Sequence, residues 1–208
     1  MTDHAADIVA LVDRSPVASR FGHALRVAIE AAVGELVAAL RTHHMGTAEH
    51  SNRLAGGCRK VGKELGLAPD DVFELELVAI LHDIGKLTVP ATILDLARPL
   101  DARERELVRA HTVRGAQILA EISGLRHLAP VVRATHEHWD GSGYPDRLAG
   151  LDIPLPARVV FTVDAFDAMT NDRPYRPALG YDEARRRIAE GAGSDFDPMV
   201  VRALLDAM

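Results

Sequence analysis

Apolar residues recur at three- and four-residue steps along almost the whole chain, and no stretch shows the two-residue alternation of a half-buried strand. Leu25, Ile29, Val33, Leu36, Val37 and Leu40 form one such stripe. The spacing predicts a helix there, a second over Thr47–Leu65 capped by Gly66, and a third starting at Pro69-Asp70-Asp71 and running through Leu75, Leu77, Val78, Ile80 and Leu81 into His82. Further helices are expected over Ala102–Glu121, Leu128–Glu137, Ala157–Met169, Tyr181–Glu190 and Pro198–Met208. Between Trp139 and Pro156 the pattern stops: Gly141, Gly143, Pro145, Gly150, Pro154 and Pro156 predict a long shaped loop, a feature more often functional than passive. The expected fold class is all-α.

A chain of 208 residues, 48% hydrophobic, can bury its own core, and with one cysteine it does so without an internal disulfide. A net charge of −6 argues against a nucleic acid polymer as partner, because phosphate backbones are met by clustered Lys and Arg. A small phosphorylated ligand is still compatible if metals or a few Arg reverse the local sign. The first residues lack the apolar stretch of a signal peptide, and Arg26, Glu30 and Glu35 interrupt the most apolar helix, so no membrane span and a cytoplasmic location are expected.

His82-Asp83 ends an apolar helix, which delivers an imidazole and a carboxylate to an interior position where a carboxylate is costly unless paired or metal-bound. On its own the dipeptide reads as a helix-end cap or a surface pair. Its neighbours change that reading. His50 lies on the preceding helix, His111 on the next, His136 on the one after and Asp164 on the helix following the loop, with Lys86 one turn past the pair. Ligand-type side chains contributed by successive helices are how helical bundles assemble metal sites. Imidazole and carboxylate suit iron, manganese and zinc alike.

At these residues the sequence resembles the HD-GYP family. His82-Asp83-Ile84-Gly85-Lys86, then His136-Glu137-His138-Trp139-Asp140-Gly141-Ser142-Gly143-Tyr144-Pro145, are similar to its paired signature. Val163-Asp164-Ala165-Phe166-Asp167-Ala168-Met169, Asp172-Arg173-Pro174-Tyr175-Arg176 and Phe196-Asp197-Pro198 are similar to its C-terminal motifs. The resemblance covers residues 45–208, leaving 1–44 as an N-terminal helical segment that should pack on the bundle or on a second copy. It implies an HD-domain helical bundle, to which the apolar pattern adds extra N-terminal helices, a centre of divalent metal ions, iron or manganese, and hydrolysis of cyclic di-GMP to the linear dinucleotide and/or GMP.

Carried over residue by residue, the resemblance makes His50, His82, Asp83 and Asp164 ligands of a first metal, with Asp83 bridging to a second that His111 and His136 also hold. Asp83 and Lys86 would serve the reaction, Tyr144 would lie near a guanine, and Arg173 and Arg176 would hold phosphate oxygens. Two departures matter: Thr135 stands where the family has a second histidine, and Gly46 stands where three-metal members have a glutamate. Two metals rather than three are therefore expected, with His138 a candidate to replace the missing imidazole. The alternative is a catalytically degenerate domain that binds nucleotide or a protein. A homodimer and a signalling-protein partner are further expectations.

Overall fold

A computed structural model describes residues 23–172 and 177–208. Among them no strand occurs, only one isolated bridge between Ala192 and Phe196, and the architecture is all-α. The helices are α1 (His23–His43), α2 (Met45–Glu64), α3 (Pro69–Leu81), α4 (Ala91–Leu94), α5 (Ala102–Arg109), α6 (His111–Ala120), α7 (Ala129–Arg133), α8 (Leu155–Thr170), α9 (Tyr181–Glu190) and α10 (Pro198–Ala207). Short 3₁₀ turns cover Ile84–Thr88, Arg126–Leu128 and Gly150–Asp152.

The start signals work locally. Pro69 opens α3 with Asp70 and Asp71 in its first turn. Asp101 and Glu104 form a reciprocal capping box on α5. Asp197 caps α10 ahead of Pro198. α2 ends before Gly66, whose φ of 72° suits glycine.

α3 is apolar nearly all round, and from Val72 to Leu81 only Glu74 is not buried. A helix of that kind has to be surrounded, and α2 and α8 pack against it. α1 enters the same core through Ile29, Val33 and Leu40, and its His43 Nε2 lies 2.7 Å from the Val89 carbonyl. Among the described residues no helix is long and apolar enough to cross a membrane.

Two expected helices are shorter than their periodicity suggests. The Ala102–Glu121 pattern breaks at Ala110. There His111 Nδ1 donates to the Val108 carbonyl at 2.6 Å, an acceptor that a continuous helix would give to Thr112. The Leu128–Glu137 pattern yields only Ala129–Arg133. Beyond it Ala134, Thr135 and Glu137 close tight turns to residues three back, and the Thr135 hydroxyl donates to the Val132 carbonyl at 2.9 Å. His136 is thus presented from a turn, not a helix.

The Trp139–Pro156 loop is held down at both edges. Trp139 and Asp140 donate backbone N–H to the carbonyls of Asp195 and Ser194 at 3.0 and 2.9 Å. Below them the Arg158 guanidinium pairs with Asp197, both nearly buried, and lies 5.8 Å from the Trp139 ring.

Candidate metal centre

Asp83 follows the last turn of α3 and is 1% exposed. It occupies the position before the 3₁₀ turn, yet its side chain makes no capping bond, so the helix-cap reading fails. Instead Oδ2 accepts a hydrogen bond from Lys86 Nζ at 2.6 Å and lies 3.4 Å from His82 Nε2, while Oδ1 lies 3.3 Å from His111 Nε2. The carboxylate thus faces two clusters. His50, His82 and Asp83 form one, and Asp83, His111 and His136 form the other; within each, one potential ligand atom per residue lies within 4.8 Å of the others.

The ring orientations suit a cation. His82 Nδ1 bonds to the Ala79 carbonyl at 2.8 Å and His111 Nδ1 to the Val108 carbonyl. A carbonyl can only accept, so each Nδ1 carries the proton and each Nε2 keeps its lone pair for the centre. Asp83 Oδ1, His111 Nε2 and His136 Nε2 are buried without a hydrogen-bond partner among the described residues. Such atoms are rare in native proteins and call for an explanation; a cation held among them would supply it.

Charge states agree with that fit. Burial pushes His111 down to about 4, helped by Lys86, and His136 down to about 3, helped by His111. Both rings are therefore neutral, as ligands must be. Burial disfavours the Asp83 anion, but positive charge around it, that of Lys86 on Oδ2 once the imidazoles are neutral, holds the carboxyl well below the usual range.

His50 differs. Burial opposes its charge, yet Asp164 and Asp167 raise it to about 9. Its Nε2 lies 2.9 Å from Asp164 Oδ1 and its Nδ1 2.7 Å from Asp167 Oδ2. A cation held by His50 and Asp164 would take the place of the proton they share.

The structure thus gathers His50, His82, Asp83, His111, His136 and Asp164, with Lys86 beside them. Arg173 and Arg176 lie outside the described residues. Tyr144 stacks on His136 with centroids 5.2 Å apart and planes 3° from parallel, and the Arg109 guanidinium lies 5.0 Å from its ring centre. His138 belongs to neither cluster: Nδ1 lies 3.1 Å from both Ser142 Oγ and Asp195 Oδ1, and the ring stacks on Phe161. It does not replace the imidazole missing at Thr135, which is itself buried and bonded to Val132.

Asp167 is the residue that sequence reasoning left without a role. It sits one turn beyond Asp164 on α8, and that spacing was the available signal. Its Oδ2 fixes His50, while Oδ1 accepts from Asn171 Nδ2 at 3.0 Å and faces Arg53 Nε at 3.4 Å. Carboxylates that orient ligating histidines in this way are worth roughly 10–100-fold in metal affinity. Asp167→Ala should weaken the tightest manganese site by that factor in a chelator competition, whereas an unchanged affinity would make the contact incidental.

A helical bundle that brings a His-Asp pair and histidines from neighbouring segments to one buried carboxylate defines a class, and sequence comparison identifies it. The HD-domain family model matches residues 35–200, and the chain belongs to that family, its paired motifs being of the HD-GYP type. It is 39% identical over 162 residues to the 3'3'-cGAMP-specific phosphodiesterase 3 of Vibrio cholerae, covering 78% of this chain and 35% of that protein. It is 36% identical to a cyclic di-GMP phosphodiesterase of Thermotoga maritima, covering 77% and 44%. Against the cyclic di-GMP phosphodiesterase PA4108 of Pseudomonas aeruginosa the match is 36%, covering 100% and 47%. The chain therefore spans less than half the length of each of these relatives.

Two solved structures share the fold. Bd1817, an HD-GYP-type protein from Bdellovibrio bacteriovorus, superposes with a TM-score of 0.64 at 19% identity, covering 77% of this chain and 51% of that one. The HD domain of the Listeria monocytogenes phosphodiesterase PgpH, in complex with cyclic-di-AMP, superposes with a TM-score of 0.62 at 16% identity, covering 83% and 92%.

Proposed function

We propose that this chain hydrolyses a phosphodiester bond of a cyclic dinucleotide, cyclic di-GMP in the first instance, to the linear dinucleotide and/or GMP. The observation that carries the reading is the single buried carboxylate of Asp83 shared by two ligand clusters. His50, His82, Asp83 and Asp164 would hold one divalent ion, and Asp83, His111 and His136 a second, iron or manganese in each case. Such ions, when bound, polarise phosphoryl oxygens and make water a nucleophile near neutral pH.

The protein's own part is positional and electrostatic. Lys86, hydrogen-bonded to Asp83 and about one-quarter exposed, stands at the edge of a cleft of about 670 Å³ that reaches His50, Arg53, Asn171 and Asp172. That volume lies in the range of about 300–1,000 Å³ usual for small-ligand sites. Lys86 can offer its ammonium to a non-bridging oxygen as charge builds there. Arg173 and Arg176, adjoining Asp172 in sequence, would clamp the phosphate.

Neither Thr135 nor Gly46 removes a member of either cluster, so no observation favours the degenerate alternative. A second copy of the chain, or a signalling protein, as partner belongs to the same proposal and rests on sequence reasoning alone. Anaerobically purified protein loaded with iron or manganese should convert cyclic di-GMP to linear product. Fully metallated protein that turns over no cyclic dinucleotide would end this reading.

A further inference from the structure

Arg53 lines two clefts. One is the cleft of the metal centre. The other, of about 550 Å³, lies between α2 and α8, and none of the six ligand-type residues of the centre lines it. Its floor is apolar, made by Leu54, Val163 and Phe166.

In a chain of net charge −6, this second cleft gathers three cations, Arg53, Arg59 and Lys60, against one carboxylate, Asp167. Arg59 is already paired with Glu76, a carboxylate buried on α3. The other two have charge to spare. Arg53 is 48% exposed and reaches Asp167 Oδ1 only at 3.4 Å, while Asp167 is also engaged by His50 and Asn171. Lys60 is exposed and makes no ion pair among the described residues. A guanidinium and an ammonium seven residues apart share one helix face, roughly 10 Å apart along its axis.

We infer that this cleft takes a small oxyanion carried on an apolar body, an acyl or aryl carboxylate or phosphate ester, and that its occupancy is felt at the metal centre. The planar fork of Arg53 and the ammonium of Lys60 suit an oxyanion. The apolar floor takes the body, and the volume lies in the range of about 300–1,000 Å³ usual for small ligands. Arg53 makes the connection: its Nε faces Oδ1 of Asp167, whose Oδ2 lies 2.7 Å from His50 Nδ1. The charge of Arg53 opposes a cation at His50. A bound oxyanion offsets that charge, so anion and metal ion strengthen each other's binding, by the same factor in both directions. The coupling rests on the metal reading above; the anion site does not.

The test uses the full chain, first without metal. 1-Anilinonaphthalene-8-sulfonate should bind with a rise in fluorescence and be displaced by decanoate and by decyl phosphate. Whichever acts at the lower concentration identifies the oxyanion. Decanol, the same body without the charge, should displace it at least about 10-fold less well. A Cβ at Gly56, which lines the cleft, meets no atom within 4 Å, so Gly56→Leu fills the space without pushing the helices apart. That variant should lose the binding, and Lys60→Gln should weaken it about 5-fold. Manganese affinity is then measured by chelator competition with saturating decanesulfonate, a poor metal ligand. It should tighten about 5-fold or more in the wild type and stay unchanged in Gly56→Leu. No binding, binding that both variants leave intact, or displacement by decanol as good as by the acids would overturn the site. Tightening that persists in Gly56→Leu would place the anion on the metal and overturn it too. Unchanged manganese affinity with the anion bound would overturn the coupling. A chain that binds the anion but no manganese would end the metal reading and the coupling while upholding the anion site.

Discussion

Asp83→Asn should abolish hydrolysis and empty both metal positions while leaving the helical fold intact. The side chain faces both clusters, with Oδ2 on the His82 side and Oδ1 on the His111 side. A neutral amide keeps the shape and loses the charge, and its nitrogen is a poor ligand. Both sites then lose their shared anion at once. Activity is expected to fall by at least about 10³-fold, which corresponds to roughly 4 kcal/mol of transition-state stabilisation. Lys86 loses its partner, but it is about one-quarter exposed and can turn to water, so the structural cost should stay small. Metal content and circular dichroism measured on the same sample decide the matter: full metal occupancy in Asp83→Asn would refute the shared-ligand role whatever happened to activity.

Gly85→Ala should be the most damaging single methyl group in the protein. A Cβ at Gly85 would stand 1.9 Å from the His111 carbonyl oxygen and 2.5 Å from the Gly115 nitrogen. Those are backbone atoms of α6, so no side chain can turn aside, and α6 must move as a body. It carries His111, whose Nε2 is now 3.3 Å from Asp83 Oδ1. Overpacking of this kind costs about 1–3 kcal/mol and sometimes more; with backbone on both sides the upper end is expected. For a chain of this size about 3 kcal/mol is a drop of roughly 6–12 °C in Tm. The second metal position should be lost before the first, because only its ligand rides on α6. A melting temperature within about 2 °C of wild type, with both metals retained, would show that α6 is not held as closely as the geometry states.

The helices that sequence reasoning placed well are those whose boundaries are written locally. Tyr181–Glu190 and the Pro69 start of α3 depend on residues within a turn or two: acids in the first turn, a proline at its head, a glycine after the end. That these side chains come together was legible for a related reason. His-Asp at the end of an apolar helix, with histidines on flanking segments, constrains chemistry before any coordinate does.

What remained illegible depends on side chains that compete for backbone groups or on contacts far apart in the chain. The break at Ala110 follows from how the His111 ring turns, and the turn that presents His136 follows from the Thr135 hydroxyl; periodicity carries neither. Asp167 was visible within a motif, but its role needs α2 beside α8, bringing together residues 117 apart in sequence. The breakers between Trp139 and Pro156 announced a loop, but not its fastening. That comes from the Ser194–Asp195 carbonyls and the Arg158–Asp197 pair, supplied by a segment some forty residues downstream. Asp197→Ala would remove that pair and a helix cap together.

The proposed activity requires that one buried aspartate organise two metal ions. Elemental analysis of anaerobically purified wild-type protein tests this most directly: two equivalents of divalent metal per folded chain are predicted, and a folded protein holding fewer than one would contradict it.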